Sequence, residues 1–291
     1  MRVRLTLFLP IAAVIVAMAC FQVGAAFAKG LFPAVGPQGA VTIRLVLGAV
    51  ILAVVTRPWR RWPSHAPLLP LFGLGVSIAA TITLFYMAIE RLPLGVAIAL
   101  QFLGPLAIAL FGSRRPTDLI WAATAAGGVW LLVAPGDSTR HLDPVGVACA
   151  LAAATGWAAY ILCGRVASTA FGGATAGLTT IIAAVLILPV GIAHAGVDLL
   201  SPALIPLALL VALFSTAIPG LLEFYAMPRM SARAFAVFMS LEPAFAVLSG
   251  LIILGERLGA GQVAGISLVI LASAGTVWSG ARQAQPATPP P

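Results

Sequence analysis

Long apolar runs alternate along the chain with short connections that contain many of its prolines, glycines and arginines. About 20 apolar residues are enough to cross the hydrocarbon core of a bilayer as a helix. The pattern therefore predicts an all-α polytopic membrane protein without a soluble domain between its spans. Hydropathy predicts ten transmembrane helices, near residues 7–28, 38–55, 68–89, 94–112, 118–134, 143–165, 174–194, 202–223, 232–254 and 261–279.

The ninth span, from Ala232 to Leu254, contains a polar interruption that lipid cannot accommodate. Glu242 lies near its middle and Pro243 follows directly. A charged carboxylate at that depth costs about 2.5–3.5 kcal/mol on insertion scales. A proline inside a helix removes one backbone donor and frees the carbonyl four residues earlier, here that of Met239. Because both features need polar partners, we expect a cavity lined by water or protein at this position.

Composition supports the membrane assignment and changes the meaning of the positive charge. The 291 residues are 61% hydrophobic and 8% charged, with a mean hydropathy of +1.09. Soluble domains are about 25% charged. The sixteen lysines and arginines are scattered between apolar runs, so the net charge of +8 predicts no nucleic-acid partner. The predicted partner is the lipid bilayer.

The distribution of cations predicts how the chain is oriented in the membrane. The run from Leu5 to Ala28 is about 24 residues, whereas the apolar core of a signal peptide is about 7–15 residues. We therefore expect an uncleaved first helix. With a cytoplasmic N-terminus, eleven arginines lie on the inner side, and the outer side holds Lys29, Arg91, Arg140 and Arg257. Positive charge accumulates on cytoplasmic loops, so both termini are predicted to be cytoplasmic.

The two halves of the chain resemble each other. A shift of 138 residues aligns Arg91 with Arg229, Pro105 with Pro243, Gly112 with Gly250, and Asp118 with Glu256. A shift of 136 aligns Phe21 with Trp157 and Lys29 with Arg165. We predict repeats of five helices at residues 1–137 and 138–280, followed by a disordered Pro-rich tail at 281–291. Five is odd, so the repeats are inverted, and matching helix breaks in inverted repeats indicate a transporter site near the bilayer midplane.

Several segments carry a family resemblance, among them MACFQVGAAFAKGLFP, FYMAIERLPLGVAIALQFLGPLAIALFGSRRP, GWAAYILCGR and FMSLEPAFAVLSGLIILGE. They resemble the EamA-type members of the drug/metabolite transporter superfamily, and among these the inner-membrane threonine/homoserine exporters (RhtA-type). The resemblance implies a fold of two inverted five-helix repeats and export of small amino acids, driven by protons. Related chains often have a carboxylate at the position of Gln101, so a relay of two carboxylates does not carry over directly.

Glu242 is the main candidate for substrate binding and proton coupling. A membrane carboxyl group can change between charged and neutral forms because desolvation opposes the charged form. The alternative is a protonated glutamate that hydrogen-bonds neighbouring helices. Pro105 in the fourth span frees the carbonyl of Gln101, and the Gln101 amide could bind substrate or join helices. Pro105 and Pro243 are the predicted helix breaks.

Further candidates for the substrate site are polar aromatic residues and one amide. Trp157 and Tyr160 are three residues apart and share a helix face, so they could stack on an ammonium group. Tyr86 and Gln22 could face the same cavity. The alternatives are an aromatic belt at the membrane interface and hydrogen bonding between helices.

Two charged residues are predicted to act in gating. Glu223 ends the eighth span and could gate the cytoplasmic mouth or pair with Arg229 or Arg233. Arg44 lies inside the second span, where we expect it to find a carboxylate or extend towards the outer surface. It would then brace the helices, or alternatively bind a substrate carboxylate.

The chain has none of the HExxH, GxSxG or P-loop motifs. We therefore expect no enzyme, no cofactor, no metal site and no ATP-driven pump. An exporter of another metabolite or drug, or a membrane sensor or assembly subunit, remains the alternative to an amino-acid exporter. Gly261 and Gly265 form a GxxxG motif in the last span, which could support a homodimer.

Overall fold

The computed structural model describes residues 2–60, 68–111, 116–133, 142–226, 229, 238–239 and 241–281. Within these ranges the chain is helical and contains no strand, which confirms the all-α prediction. The α-helices are α1 (Arg2–Lys29), α2 (Phe32–Thr56), α3 (Leu68–Arg91), α4 (Leu94–Gln101), α5 (Leu103–Phe111), α6 (Pro116–Val133), α7 (Pro144–Phe171), α8 (Thr175–Ala195), α9 (Ile205–Ala212), α10 (Ile218–Ala226), α11 (Glu242–Leu254) and α12 (Ala260–Ala281). A π-helical turn, Leu213–Ala217, joins α9 to α10. The predicted tail lies almost entirely outside the described residues.

Helix lengths and hydropathy confirm a membrane protein. Six stretches of the described chain are long and apolar enough to cross a bilayer: Leu9–Lys29, Phe32–Thr56, Leu68–Arg91, Pro144–Gly164, Thr175–Leu200 and Pro202–Glu223. Four shorter apolar stretches are Leu94–Ile108, Leu119–Leu132, Glu242–Leu254 and Ala260–Gly275. All ten coincide with stretches that hydropathy selected.

The second helix begins earlier than the sequence predicted. Residues predicted to connect the first two spans belong to α2, whose helical geometry is interrupted at Gly36 (φ 66°, ψ 173°). Glycine adopts a positive φ at little cost, so the chain bends there before Pro37. The chain therefore turns directly from α1 into α2.

The fourth predicted span consists of two helices. Helix α4 ends at Gln101, Phe102 forms a turn, and α5 begins at Leu103. Pro105 is the third residue of α5, where its missing N–H removes the donor that an α-helix would offer to the Gln101 carbonyl. Gln101 is 5% exposed, so this helix end is buried inside the protein.

Glu242 lies at a helix break, and the sequence predicted such a break at Pro243. It is the first residue of α11, and Pro243 is in the first turn. Leu241 forms a turn whose N–H donates to the Phe238 carbonyl at 3.0 Å. Proline suits the start of a helix because the first N–H groups have no helical partner. Pro243 therefore begins a helix, and the Glu242 carboxylate lies at the positive end of the α11 dipole.

The helices pack through glycine contacts between α2 and α8, α3 and α7, and α6 and α12. A Cβ atom on Gly191 would meet the Thr42 side chain, and one on Gly156 would meet Thr81. Gly265 lies against Gly128 of α6. This part of the GxxxG motif is therefore used within the chain, which argues against a homodimer through that face.

We expect Gly191→Ala to destabilise the fold by about 1–3 kcal/mol, because the new methyl group overlaps three atoms of the Thr42 side chain. Gly220→Ala in α10 is the matched control, since a Cβ there meets nothing within 4 Å. Removing a helical glycine should stabilise the control by about 0.5–1 kcal/mol. Thermal melting in detergent measures both changes, and equal melting temperatures for the two variants would contradict this packing.

Candidate functional site

A buried polar contact joins α1 to α11. Glu242 of α11 is 6% exposed and Gln22 of α1 is 2% exposed. The Gln22 side-chain amide donates to Glu242 Oε1 at 3.0 Å. The second oxygens, Gln22 Oε1 and Glu242 Oε2, are buried and have no hydrogen-bond partner among the described residues. Unsatisfied buried acceptors are costly, so this pair is suited to receive an external donor.

A second carboxyl group lies near this pair. Glu223 of α10 is close enough to interact electrostatically with both Glu242 and the Tyr160 hydroxyl of α7. The described part of the chain offers Glu223 no ion pair, and Arg233 lies outside that part. Arg229 instead donates to the Tyr225 carbonyl at 2.7 Å and stacks 4.1 Å over the Tyr225 ring. The predicted pair of Glu223 with Arg229 is therefore wrong.

Helix α7 packs against the break in the fourth span and also passes close to Glu223. Trp157 packs edge-on against Phe102, with ring centroids 5.3 Å apart and an interplanar angle of 88°. A Cβ on Gly104 would meet the Ala154 carbonyl, so α5 approaches the α7 backbone closely. Tyr160, on the same helix face as Trp157, is 36% exposed. The two aromatics thus have different roles: Trp157 packs against the break, and Tyr160 lies near Glu223.

Tyr86 and Arg44 form another buried cluster, with exposures of 0% and 7%. Arg44 donates to the Tyr86 hydroxyl at 3.2 Å, the Ser215 carbonyl at 2.6 Å and Thr216 Oγ1 at 3.2 Å. Its guanidinium also lies 5.4 Å from the Tyr86 ring centroid. Among the described residues Arg44 has no carboxylate partner, and its side chain is buried rather than extended to the surface. Both of these expectations are therefore wrong. The π-helical turn places Ser215 and Thr216 where the guanidinium reaches them.

The ion pair between Lys29 and Glu256 was not predicted from the sequence. Lys29 Nζ at the end of α1 lies 2.7 Å from Glu256 Oε1, and Glu256 Oε2 accepts the Leu94 N–H at 2.8 Å. Gly255 (φ 64°) turns the chain after α11, and Gly250 lacks the Cβ that would collide with the Glu256 carboxylate. Glu256 therefore ties α1 to the start of α4. The internal repeat offered a signal for this ion pair. It aligns Lys29 with Arg165 and Asp118 with Glu256, so a cation and a carboxylate stand at corresponding positions in the two halves.

The Lys29–Glu256 ion pair and the Gln22–Glu242 pair lie on one face of α1. Gln22 and Lys29 are seven residues apart, which is almost two full turns. The ion pair therefore lies about 10 Å along α1 from the buried amide, at 1.5 Å per residue. Ala26, 1% exposed, lies on the same face between them.

Comparison with known proteins shows relatives over nearly the whole chain. Residues 144–278 match the EamA-like transporter family. The threonine/homoserine exporter RhtA of Salmonella typhimurium is 43% identical over 282 residues, which are 97% of this chain and 96% of that protein. RhtA of Escherichia coli K12 is 44% identical over 273 residues, covering 94% and 92%.

One solved crystal structure has the same fold. It aligns with a TM-score of 0.60 and 21% sequence identity, covering 94% of this chain and 98% of its own. At this identity the likeness concerns the fold alone. The RhtA relatives are transporters, which agrees with the prediction that this chain is not an enzyme. The chain belongs to the EamA-like transporter family, in the group that includes RhtA.

Proposed function

We propose that this protein exports threonine, homoserine or related small amino acids across the bacterial inner membrane, by proton-coupled alternating access. The observation that carries the proposal is the buried Gln22–Glu242 pair with its two unsatisfied oxygen acceptors. The names of the RhtA relatives support the substrate class. The burial of the pair, the names of the relatives and the two free acceptors all favour a small substrate with hydrogen-bond donors.

The substrate ammonium is the group that fits the acceptors. An ammonium has three donors and a positive charge, so it can bond Gln22 Oε1 and Glu242 Oε2 together. A hydrogen bond to an ionised group is shorter and stronger than a neutral one. The position of Glu242 at the α11 N-terminus favours its negative charge, and the described residues give it no ion pair with a cation. Tyr160 and Gln101 complete the proposed substrate site.

Proton coupling follows from competition for that negative charge. Glu223 lies within electrostatic range of Glu242, and two nearby carboxylates oppose each other's ionisation. A proton or a substrate ammonium can each neutralise Glu242, so either one excludes the other. Substrate leaving on the outer side is replaced by a proton, and loss of that proton on the inner side restores the site.

We infer that the ten helical spans form two inverted repeats of five, with both termini in the cytoplasm. In this arrangement α4 and α5 make the fourth span, and α9 and α10 make the eighth. The packed pairs then include the second with the seventh, the fourth with the ninth, the fifth with the tenth, the third with the sixth and the first with the eighth, and also the first with the ninth, the fourth with the sixth, the third with the seventh and the second with the eighth. Exchanging each span with its counterpart five positions away leaves this set unchanged, which supports the boundary at residues 137/138.

The Lys29–Glu256 ion pair acts as the outer gate in this proposal. It joins the outer end of α1 to the start of α4 and to the turn after α11. The helix breaks before Pro105 and Pro243 lie in the spans that this contact ties together. Opening towards the outside requires that the ion pair separate, which exposes the α1 face leading to Gln22.

A cationic drug is the second candidate substrate. The proximity of Glu223 to Glu242, and of Tyr160 to Glu223, favours it, since acids and aromatics together bind organic cations. Comparing export of threonine with export of an aromatic cation by the same reconstituted protein separates the two substrates.

Glu242→Gln should reduce the rate of threonine export at least about tenfold, because the amide cannot carry the charge or the proton. The variant should still insert into the membrane. Efflux from proteoliposomes loaded with labelled threonine measures the rate. Glu90→Gln, at the exposed outer end of α3, is the matched control and should export normally. Export by Glu242→Gln at the wild-type rate would remove Glu242 from the mechanism.

Glu256→Gln should weaken the outer gate, because it removes the charge but keeps an acceptor for the Leu94 N–H. The reporter is Ala26→Cys in a chain whose three native cysteines are replaced by alanine. An impermeant maleimide added outside should label this thiol several-fold faster in the Glu256→Gln background. Asp143→Asn, which breaks the exposed ion pair with Arg91, is the control. If the thiol is labelled at the same rate with Glu256→Gln as without it, an outer gate at Lys29 and Glu256 would be contradicted.

A further inference from the structure

Arg44 is a buried cation whose charge no carboxylate balances among the described residues. It is 7% exposed, and its three hydrogen bonds go to two hydroxyls and one carbonyl. Neutral acceptors satisfy donors but leave the charge unpaired, and burying an unpaired charge is costly. A neutral side chain could donate to the same groups with less desolvation. Bracing the helices therefore explains the hydrogen bonds of Arg44 but not its charge.

The cluster also has unused hydrogen-bonding capacity. A guanidinium carries five N–H donors, and the bonds to Tyr86, Ser215 and Thr216 use one on each nitrogen. One N–H on each terminal nitrogen thus has no acceptor in the described part of the chain. The Ser215 hydroxyl, 0% exposed, is likewise buried without a partner there. Two N–H donors in a planar fork match the two oxygens of a carboxylate.

The π-helical turn, Leu213–Ala217, holds this cluster against the first two helices. A Cβ on Gly24 of α1 would meet Ser215, and one on Gly48 of α2 would meet Thr216. π-Helical turns often mark functional sites. Gly24 is two residues from Gln22, so the Arg44 cluster and the Gln22–Glu242 pair border the same part of α1. Their depths along α1 differ by about 3 Å, on different faces of the helix.

We propose that Arg44, with the Ser215 hydroxyl, is the subsite that binds the carboxylate of the transported amino acid. This inference rests on the proposed function. It assigns the two charges of a zwitterion to two clusters of opposite charge on either side of α1. When α1 moves between conformations, the two clusters engage one bound substrate together, its ammonium at Glu242 and its carboxylate at Arg44. Tyr86 is the positioning residue, because its hydroxyl and ring hold the guanidinium in place.

Three probes separate the charges of the substrate. L-Threonine carries both groups, L-threoninol lacks the carboxylate, and 3-hydroxybutyrate lacks the ammonium. Calorimetric titration of the purified full chain in nanodiscs measures the affinity for each. In Arg44→Gln we expect the affinity for threonine and 3-hydroxybutyrate to fall about 100-fold, with that for threoninol within about twofold of wild type. Arg57→Gln, an exposed arginine at the end of the same helix, is the matched control and should bind all three normally.

Arg44→Lys keeps the positive charge and tests the subsite if the glutamine variant does not fold. It should retain threoninol binding and lose about tenfold in threonine affinity, since an ammonium lacks the planar fork. Equal losses for threonine and threoninol would overturn the subsite in favour of a brace. Wild-type protein that binds no carboxylate would overturn it as well.

Transport measured on the same preparation separates this inference from the proposed function. A wild-type protein that binds 3-hydroxybutyrate through Arg44 but moves no threonine contradicts the proposed function and supports the subsite. A wild-type protein that moves threonine, with an Arg44→Gln variant that binds it unchanged, overturns the subsite and supports the proposed function.

Discussion

The hydrogen bond between Gln22 and Glu242 is the interaction on which the proposed transport cycle depends. It places a carboxyl group deep in an apolar protein and leaves one oxygen of each partner without a donor in the described part of the chain. A purely structural contact would satisfy these groups, because buried polar atoms in folded proteins almost always have partners. The remaining acceptors give the pair a capacity to bind that bracing does not require.

Helix termini, rather than continuous helices, present the polar groups to the interior. Glu242 begins α11, and Gln101 ends α4. The free N–H and C=O groups of a helix end need partners, so an interior that contains two such ends is polar where the outer surface is apolar. The same device recurs at the start of α4, where the Leu94 N–H is satisfied by Glu256. In the proposed cycle, binding and gating therefore use the same two spans.

Hydropathy predicted the positions of the ten apolar stretches well because transfer from water to lipid depends on local composition. It could not predict the partner of Glu242, since Gln22 is 220 residues away and the contact depends on packing of α1 against α11. Pro243 predicted a helix break but not its form, because a proline in an apolar run fits both a kink and a helix start. The neutral partners of Arg44 depend on the π-helical turn, which the residues LFSTA do not predict. The reach of Glu256 depends on Gly250 and Gly255, whose backbone geometry a hydropathy profile does not contain.

Proton release on substrate binding tests the central claim most directly. Threonine is added to the purified protein in a weakly buffered solution, and the released protons are counted against the threonine bound. If the substrate ammonium replaces a proton on Glu242, about half a proton should be released per threonine at the midpoint of the Glu242 titration, rising towards one at lower pH. The Glu242→Gln variant should release none. Threonine binding of equal affinity in both proteins, without proton release in either, would contradict the account.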